Sequence, residues 1–329
     1  MALGLTVGAE AEAALRAPGL QGDVPPGADL PRAGRMSLGP LPPGFDLDRV
    51  VMSHGWCQLA PTAYDERRRV LHRTLLLPDA GALTVSVRER RGGLEATWGR
   101  VKGSCDDRIA VKAQLRRVLA VDVDLGDLYD ACAALPFLSW VPGSGLGRLL
   151  RSPEPFEDLA KTLATTNCSW ALTRLMVRRL VDSLGAEGPA GERAFPTAAA
   201  VATAGEAHFT EVVRAGYRAR AFVALAEAYP GVDVSRWEDP AVPDAEVVKE
   251  LLALRGFGPY AAEGMLGLLG RPRGLAIDSW VRAKLPRLLG VASLTDAEIA
   301  ARYAALGRWA GTGLWLELTA DWFGIGSPA

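Results

Sequence analysis

Asp278, in Ala276-Ile277-Asp278-Ser279-Trp280, is the only carboxylate between Gly264 and residue 295. A fixed carboxylate can stabilise positive charge that builds on a substrate and can orient an attacking water. Eighteen residues earlier stands Tyr260, directly after the turn Leu254-Arg255-Gly256-Phe257-Gly258-Pro259. Gly-x-Gly after one helical run, then proline at the first position of the next, follows ordinary capping preferences. The same turn can leave main-chain amides bare for an anion such as a phosphate. Asp278 also suits the N-cap of a helix from Ser279, where the helix terminus favours the ionised form. The stretch therefore reads either as a capped helical turn or as an anion-binding turn with a carboxylate beside it.

The chain around it has 329 residues, 49% hydrophobic and 23% charged, with a formal net charge of −1. It can bury a sizeable core, and its overall charge argues for no polyanionic partner. Between Arg255 and Gly290, however, Arg255, Arg271, Arg273, Arg282, Lys284 and Arg287 oppose only Glu263 and Asp278, a local basic face. Cys57, Cys105, Cys132 and Cys168 are too widely spaced for a zinc or iron–sulfur site and read as reduced thiols. No apolar run is long enough to span a membrane, and no secretory signal is visible.

Three regions follow. Residues 1–45, rich in Ala, Gly and Pro, read as a mobile tail, with Met36 an alternative start. Residues 46–125 read as an antiparallel β subdomain, with strands at 70–77, 82–88 and 94–98 between turn clusters. From 126 to 329 the apolar period becomes helical. Phe156, Leu159 and Leu163 and then Leu172, Leu175, Met176 and Leu180 mark core faces. Further helices are expected at 197–204, 206–214, 217–229, 244–254, 259–269, 279–288, 296–305 and 308–321. The fold class is α+β: an N-terminal antiparallel sheet followed by a multi-helical domain.

The stretch 254–262, with Tyr260-Ala261-Ala262 and Asp278, resembles the helix-hairpin-helix DNA glycosylase superfamily. Thr165-Thr166-Asn167-Cys168-Ser169-Trp170 and Ala215-Gly216-Tyr217-Arg218-Ala219-Arg220 resemble segments of its 8-oxoguanine branch. The aromatic residue at 260 is similar to the 3-methyladenine glycosylase II branch. The resemblance implies an intracellular monomer acting on duplex DNA with a damaged base, in the cytoplasm or at a bacterial nucleoid. It implies that Gly256, Phe257 and Gly258 bind DNA phosphate through main-chain amides and that hairpin carbonyls hold a Na or K ion, with no other cofactor. Asn167 would fill the gap left by the extruded base, Tyr217 would wedge into the duplex, and Arg218 would face the estranged base; a helix cap at Asn167 and a solvated basic helix start at 215–220 are the alternatives. Arg282 joins the DNA-binding set.

In lyase members of the superfamily a lysine at position 260 forms a Schiff base; tyrosine cannot. The expected activity is hydrolysis of the N-glycosidic bond by water, driven by Asp278, leaving an abasic site in an unbroken strand. Tyr260, Trp280, Trp309 and Trp315 are the expected base pocket, with core packing the alternative for Trp309 and Trp315. Indole faces favour electron-poor alkylated purines. Oxidised or deaminated purines are the alternative, and a noncatalytic lesion-binding protein is another. Leu172 stands where the 8-oxoguanine branch would have a cytosine-reading arginine.

Overall fold

The computed structural model describes residues 20–28, 34–91, 93–99 and 104–325. Six strands form one antiparallel sheet in the order β1-β3-β4-β5-β6-β2. They are β1 Leu20–Gln21, β2 Gly34–Ser37, β3 Thr62–Asp65, β4 Val70–Leu77, β5 Gly81–Arg90 and β6 Gly93–Trp98. The helices that follow or interrupt them are α1 Leu47–Val51, α2 Cys105–Val118, α3 Gly126–Ala133, α4 Pro155–Thr165, α5 Trp170–Leu184, α6 Ala198–Glu211 and α7 Ala219–Ala228. Then come α8 Val234–Glu238, α9 Asp244–Ala253, α10 Pro259–Leu268, α11 Ser279–Leu289, α12 Asp296–Tyr303 and α13 Ala310–Thr319. Class α+β is as expected. Among the described residues no helix is long and apolar enough to cross a membrane.

Three expectations are corrected. Within the stretch read as a tail, β1 and β2 form the two edges of the sheet, and Leu38 is fully buried in its core. Strand pairing uses main-chain groups, so a short β2 can join without large apolar residues. Met36 lies in β2, paired with Ala96; residues 1–19 lie outside the described set. The region 46–125 is not all β. Helix α2 starts with a capping box, Ser104 and Asp107, and buries Val111, Leu115 and Val118 at helical spacing. Finally, Leu172 and Leu175 do not belong to the core face of α5. They are 56% and 40% exposed, while Trp170, Thr173, Met176 and Val177 are buried. The expected break near 205 is present, since Gly205 at φ 71° interrupts α6.

Burial divides the apolar residues into three cores. One lies between the sheet and α2; a second gathers α4–α7 with α9 and α10; a third gathers α3 with α11–α13. Each fully buried large apolar side chain contributes roughly 1.5–3 kcal/mol. The sheet is tied to the second core by a buried ion network, in which Arg73 of β4 grips Glu157 of α4 with both terminal nitrogens. Lys161 reaches the same carboxylate at 2.6 Å. Next to it, Asp158 accepts from Trp56 Nε1 at 2.8 Å and from the Ser152 amide at 3.0 Å. The residues of interest lie where the second and third cores meet, because α10 belongs to one and α11 to the other.

Candidate active site

The hairpin forms as the capping pattern requires. Gly256 adopts φ 91°, a left-handed region that disfavours side chains. A Cβ there would meet Leu163 Cδ1 at 2.7 Å and Ala221 Cβ at 3.0 Å, so the turn presses bare backbone onto α4 and α7. Phe257 points into the core and anchors the turn. Gly258 caps α10, and the helix begins with Ala262 N–H donating to Gly258 O at 3.0 Å. Among the described residues, the amides of Gly258, Tyr260 and Ala261 donate to no protein acceptor. These are the orphan donors of a helix N-terminus, the group type that binds anions.

From the end of α10 the chain returns along that helix. The Gly274 Cα packs against the Glu263 carbonyl, the Thr312 amide donates to Pro272 O at 3.0 Å, and the Ala276 amide donates to Glu263 Oε2 at 2.9 Å. Ala276 is held at φ 46°. These contacts deliver Asp278, the N-cap of α11, whose Oδ1 accepts from Val281 N at 2.8 Å. Burial raises the Asp278 carboxyl above its ordinary 3.8, and the amides of Val281 and Trp280 and the charge of Arg282 only partly offset this. Among the described residues no ion pair neutralises it: Arg282 binds Asp296 in a fork, both contacts 2.9 Å.

Tyr260 is 42% exposed. Desolvation, and then the charge of Asp278, hold its phenol well above its ordinary 10.0. Its side chain is open to solvent on α10, yet close enough to Asp278 to feel its charge. The phenol stays neutral there and can donate a hydrogen bond.

An aromatic cluster follows, with Trp280 of α11 buried in the third core, Trp315 on α13 and Trp322 just beyond that helix. Trp280 and Trp315 have ring centroids 5.7 Å apart, and Trp322 completes a triad at 6.3 and 5.5 Å from them. Trp315 Nε1 donates to Ser53 O at 2.9 Å. Lys284 Nζ lies 5.1 Å from the centre of the Trp280 ring and pairs with Asp321 at 3.3 Å. Trp322 was not among the pocket candidates; the signal for it was the clustering of tryptophans near the C-terminus. Trp309 is 5% exposed, with Arg308 over its ring, and makes no ring contact with the triad among the described residues; we assign it to the core.

The other two motifs meet on the surface at the start of α5. Asn167 is exposed at φ 44°, and its Nδ2 reaches the Tyr217 hydroxyl at 3.4 Å. Tyr217 is 70% exposed. Arg218 corrects the expectation, because it is only 6% exposed and turns inward. Its Nε donates to Thr166 O at 2.9 Å and its Nη2 to Asn167 O at 2.8 Å, so it fixes the loop that presents Asn167. The basic face is also thinner than its sequence count. Arg271 is buried on the carbonyls of Trp237 and Val242, whereas Arg255 remains exposed beside the hairpin.

No family model and no curated protein matches the chain. Solved structures do. A 3-methyladenine DNA glycosylase from Archaeoglobus fulgidus superposes with a TM-score of 0.67 at 20% identity, covering 88% of this chain and 98% of that one. An 8-oxoguanine glycosylase/lyase from Clostridium acetobutylicum gives 0.65 at 18% identity, covering 84% and 93%. MBOgg1, solved with a low-affinity DNA ligand, gives 0.67 at 17%, covering 90% and 99%. These likenesses show that the chain shares the fold of those structures along nearly its whole length.

Proposed function

We propose that this chain is a monofunctional DNA glycosylase. It takes a damaged base flipped from duplex DNA against Tyr260 of α10 and Asp278 at the start of α11, hydrolyses the N-glycosidic bond and leaves an abasic site in an intact strand. Extrusion is required because the bond is inaccessible inside the base stack. One observation carries the reading: Asp278, its carboxyl raised by burial and in no ion pair among the described residues, lies close to the exposed Tyr260. As the base leaves, positive charge builds on the deoxyribose; the carboxylate stabilises it and accepts a proton from the attacking water. Tyr260 supplies no amine, so no Schiff base forms at that position. The bare amides of Gly258, Tyr260 and Ala261 suit a DNA phosphate, and exposed Asn167 and Tyr217 suit the gap left in the duplex. In the turn 254–258 the carbonyls of Leu254 and Gly258 already accept from Phe257 N and Ala262 N, so those of residues 255–257 are the ones that would hold a monovalent cation.

For the base itself, Trp280 and Trp315 favour an electron-poor, alkylated purine through stacking. A specific observation favours the second reading, an oxidised or deaminated purine. Lys284 already places a cation over Trp280, and a second positive charge would be repelled there. Duplexes bearing 3-methyladenine, 1,N6-ethenoadenine, hypoxanthine or 8-oxoguanine separate the readings. The expected result is base release with strand cleavage only after alkali, and no borohydride-trapped complex. Strand cleavage without alkali overturns the monofunctional assignment. Tight binding of lesions without release of any base makes the chain a lesion-binding protein instead.

A further inference from the structure

Glu263 lies on the same helix as Tyr260 and enters no ion pair among the described residues. Its carboxylate is spent on one main-chain donor, the Ala276 amide, at 2.9 Å from Oε2. That amide is the only main-chain donor from 273 to 277 that meets a protein acceptor among the described residues. Ala276 is also the one residue of that stretch held at positive φ, 46°, a region that disfavours a side chain. The single anchor thus falls where the backbone most needs holding. It also crosses the seam between two cores. Leu275 and Ile277, on either side of Ala276, pack against the third core with α11, whereas α10 belongs to the second. The bond ties the segment that ends in Asp278 to the helix that carries Tyr260. Without it, Ala276 would relax toward negative φ and carry the start of α11 with it.

We propose that Glu263 is a positioning residue: by holding Ala276 in its left-handed conformation it fixes where Asp278 stands relative to Tyr260, and so sets the rate of base release without touching the substrate. The inference rests on the glycosylase reading above. What the role requires of residue 263 is a hydrogen-bond acceptor, not a charge.

The test measures single-turnover release, per folded molecule of the full chain, of whichever lesion base the unaltered protein excises. Affinity for an abasic-site duplex is measured alongside. Glu263→Met keeps the side-chain length and removes the acceptor. It should slow release by about tenfold to a hundredfold, the scale of a misplacement near 1 Å, with abasic-site affinity unchanged. Glu263→Gln keeps an acceptor and should keep most of the rate. Adding Ala276→Gly to Glu263→Met should recover part of the loss, because glycine takes positive φ freely. Ala276→Val, with Glu263 intact, attacks the same angle from the other side and should show the same split, so the test survives if Glu263→Met does not fold. An unchanged rate in Glu263→Met or Ala276→Val, or an equal loss in Glu263→Gln, overturns the positioning role and leaves the glycosylase reading in place. So does a parallel loss of rate and abasic-site affinity, or no recovery with Ala276→Gly. Release of no base by the unaltered chain overturns that reading and this inference together.

Discussion

Glu157 and Asp278 are both carboxylates removed from bulk water, and the chain treats them in opposite ways. Around Glu157, burial alone would raise the carboxyl, but Arg73 and Lys161 more than reverse it, holding the group below the ordinary 4.5. That charge is matched and sealed between sheet and helices. Around Asp278, burial prevails, and the nearest guanidinium is engaged by Asp296. Asp158 shows that an elevated carboxyl is not enough to make a site. Burial raises it too, yet it is fully enclosed and spends its oxygens on Trp56 and Ser152. What sets Asp278 apart is a charge that no ion pair matches among the described residues, close to the exposed Tyr260. Glu157 is compensated and Asp158 enclosed; the candidate catalytic carboxylate is neither.

Exchanging each acid for its amide should separate them. Asp278→Asn is expected to cut base excision by roughly 10²–10⁴-fold, the range for losing a general base or its electrostatic equivalent. Asparagine remains a good N-cap and removes a desolvated charge, so the melting temperature should hold or rise. Glu157→Gln should do the reverse. It strands Arg73 and Lys161 together in the interior, at a cost of about 3 kcal/mol, while per-molecule activity of the folded protein survives. Lys161, already pushed down by burial, would shed its proton to limit that cost. Denaturant unfolding and single-turnover excision on the same samples measure both quantities. If Asp278→Asn keeps its activity, the contrast between the two acids collapses.

Acidity sharpens the contrast. The folded-state carboxyl of Asp278 lies above its ordinary value of 3.8. Between those two pH values the folded chain holds a proton that the unfolded chain has released. Stability from this group therefore falls as pH rises through that window, while the active anion accumulates. Excision should show an acid limb centred above 3.8, and Asp278→Asn should lose the matching slope in stability. Glu157, held below 4.5, stabilises above that pH and loses its contribution only as pH falls through its lowered value.

The sequence exposed the site unevenly, for physical reasons. The hairpin and Asp278 were legible because glycine, proline and N-cap preferences act within a few residues. The seam between two cores was not, since α10 and α11 join different cores through contacts with elements distant in the chain. Leu172 and Leu175 kept a helical period while facing outward, because periodicity shows that a face exists and not what covers it. Strands β1 and β2 were hidden because ladder bonds need no particular side chain. Helix α2 was missed despite a visible signal, Ser104-x-x-Asp107 before Val111, Leu115 and Val118.

Arg218 offers the smallest test, on a third way of using buried charge. Its guanidinium satisfies the carbonyls of Thr166 and Asn167 and thereby holds Asn167 at its left-handed backbone angle. Arg218→Ala leaves those acceptors short of donors, a cost of about 1–3 kcal/mol, and releases the loop. Arg218→Lys keeps the charge but loses the fork and should fall between. A residue that acts by positioning a loop weakens duplex binding equally whatever base lies opposite the lesion; one that reads a base edge does not. Affinity for abasic duplexes with each of the four opposite bases should therefore drop in parallel in Arg218→Ala. A loss confined to one opposite base would return Arg218 to direct contact with DNA.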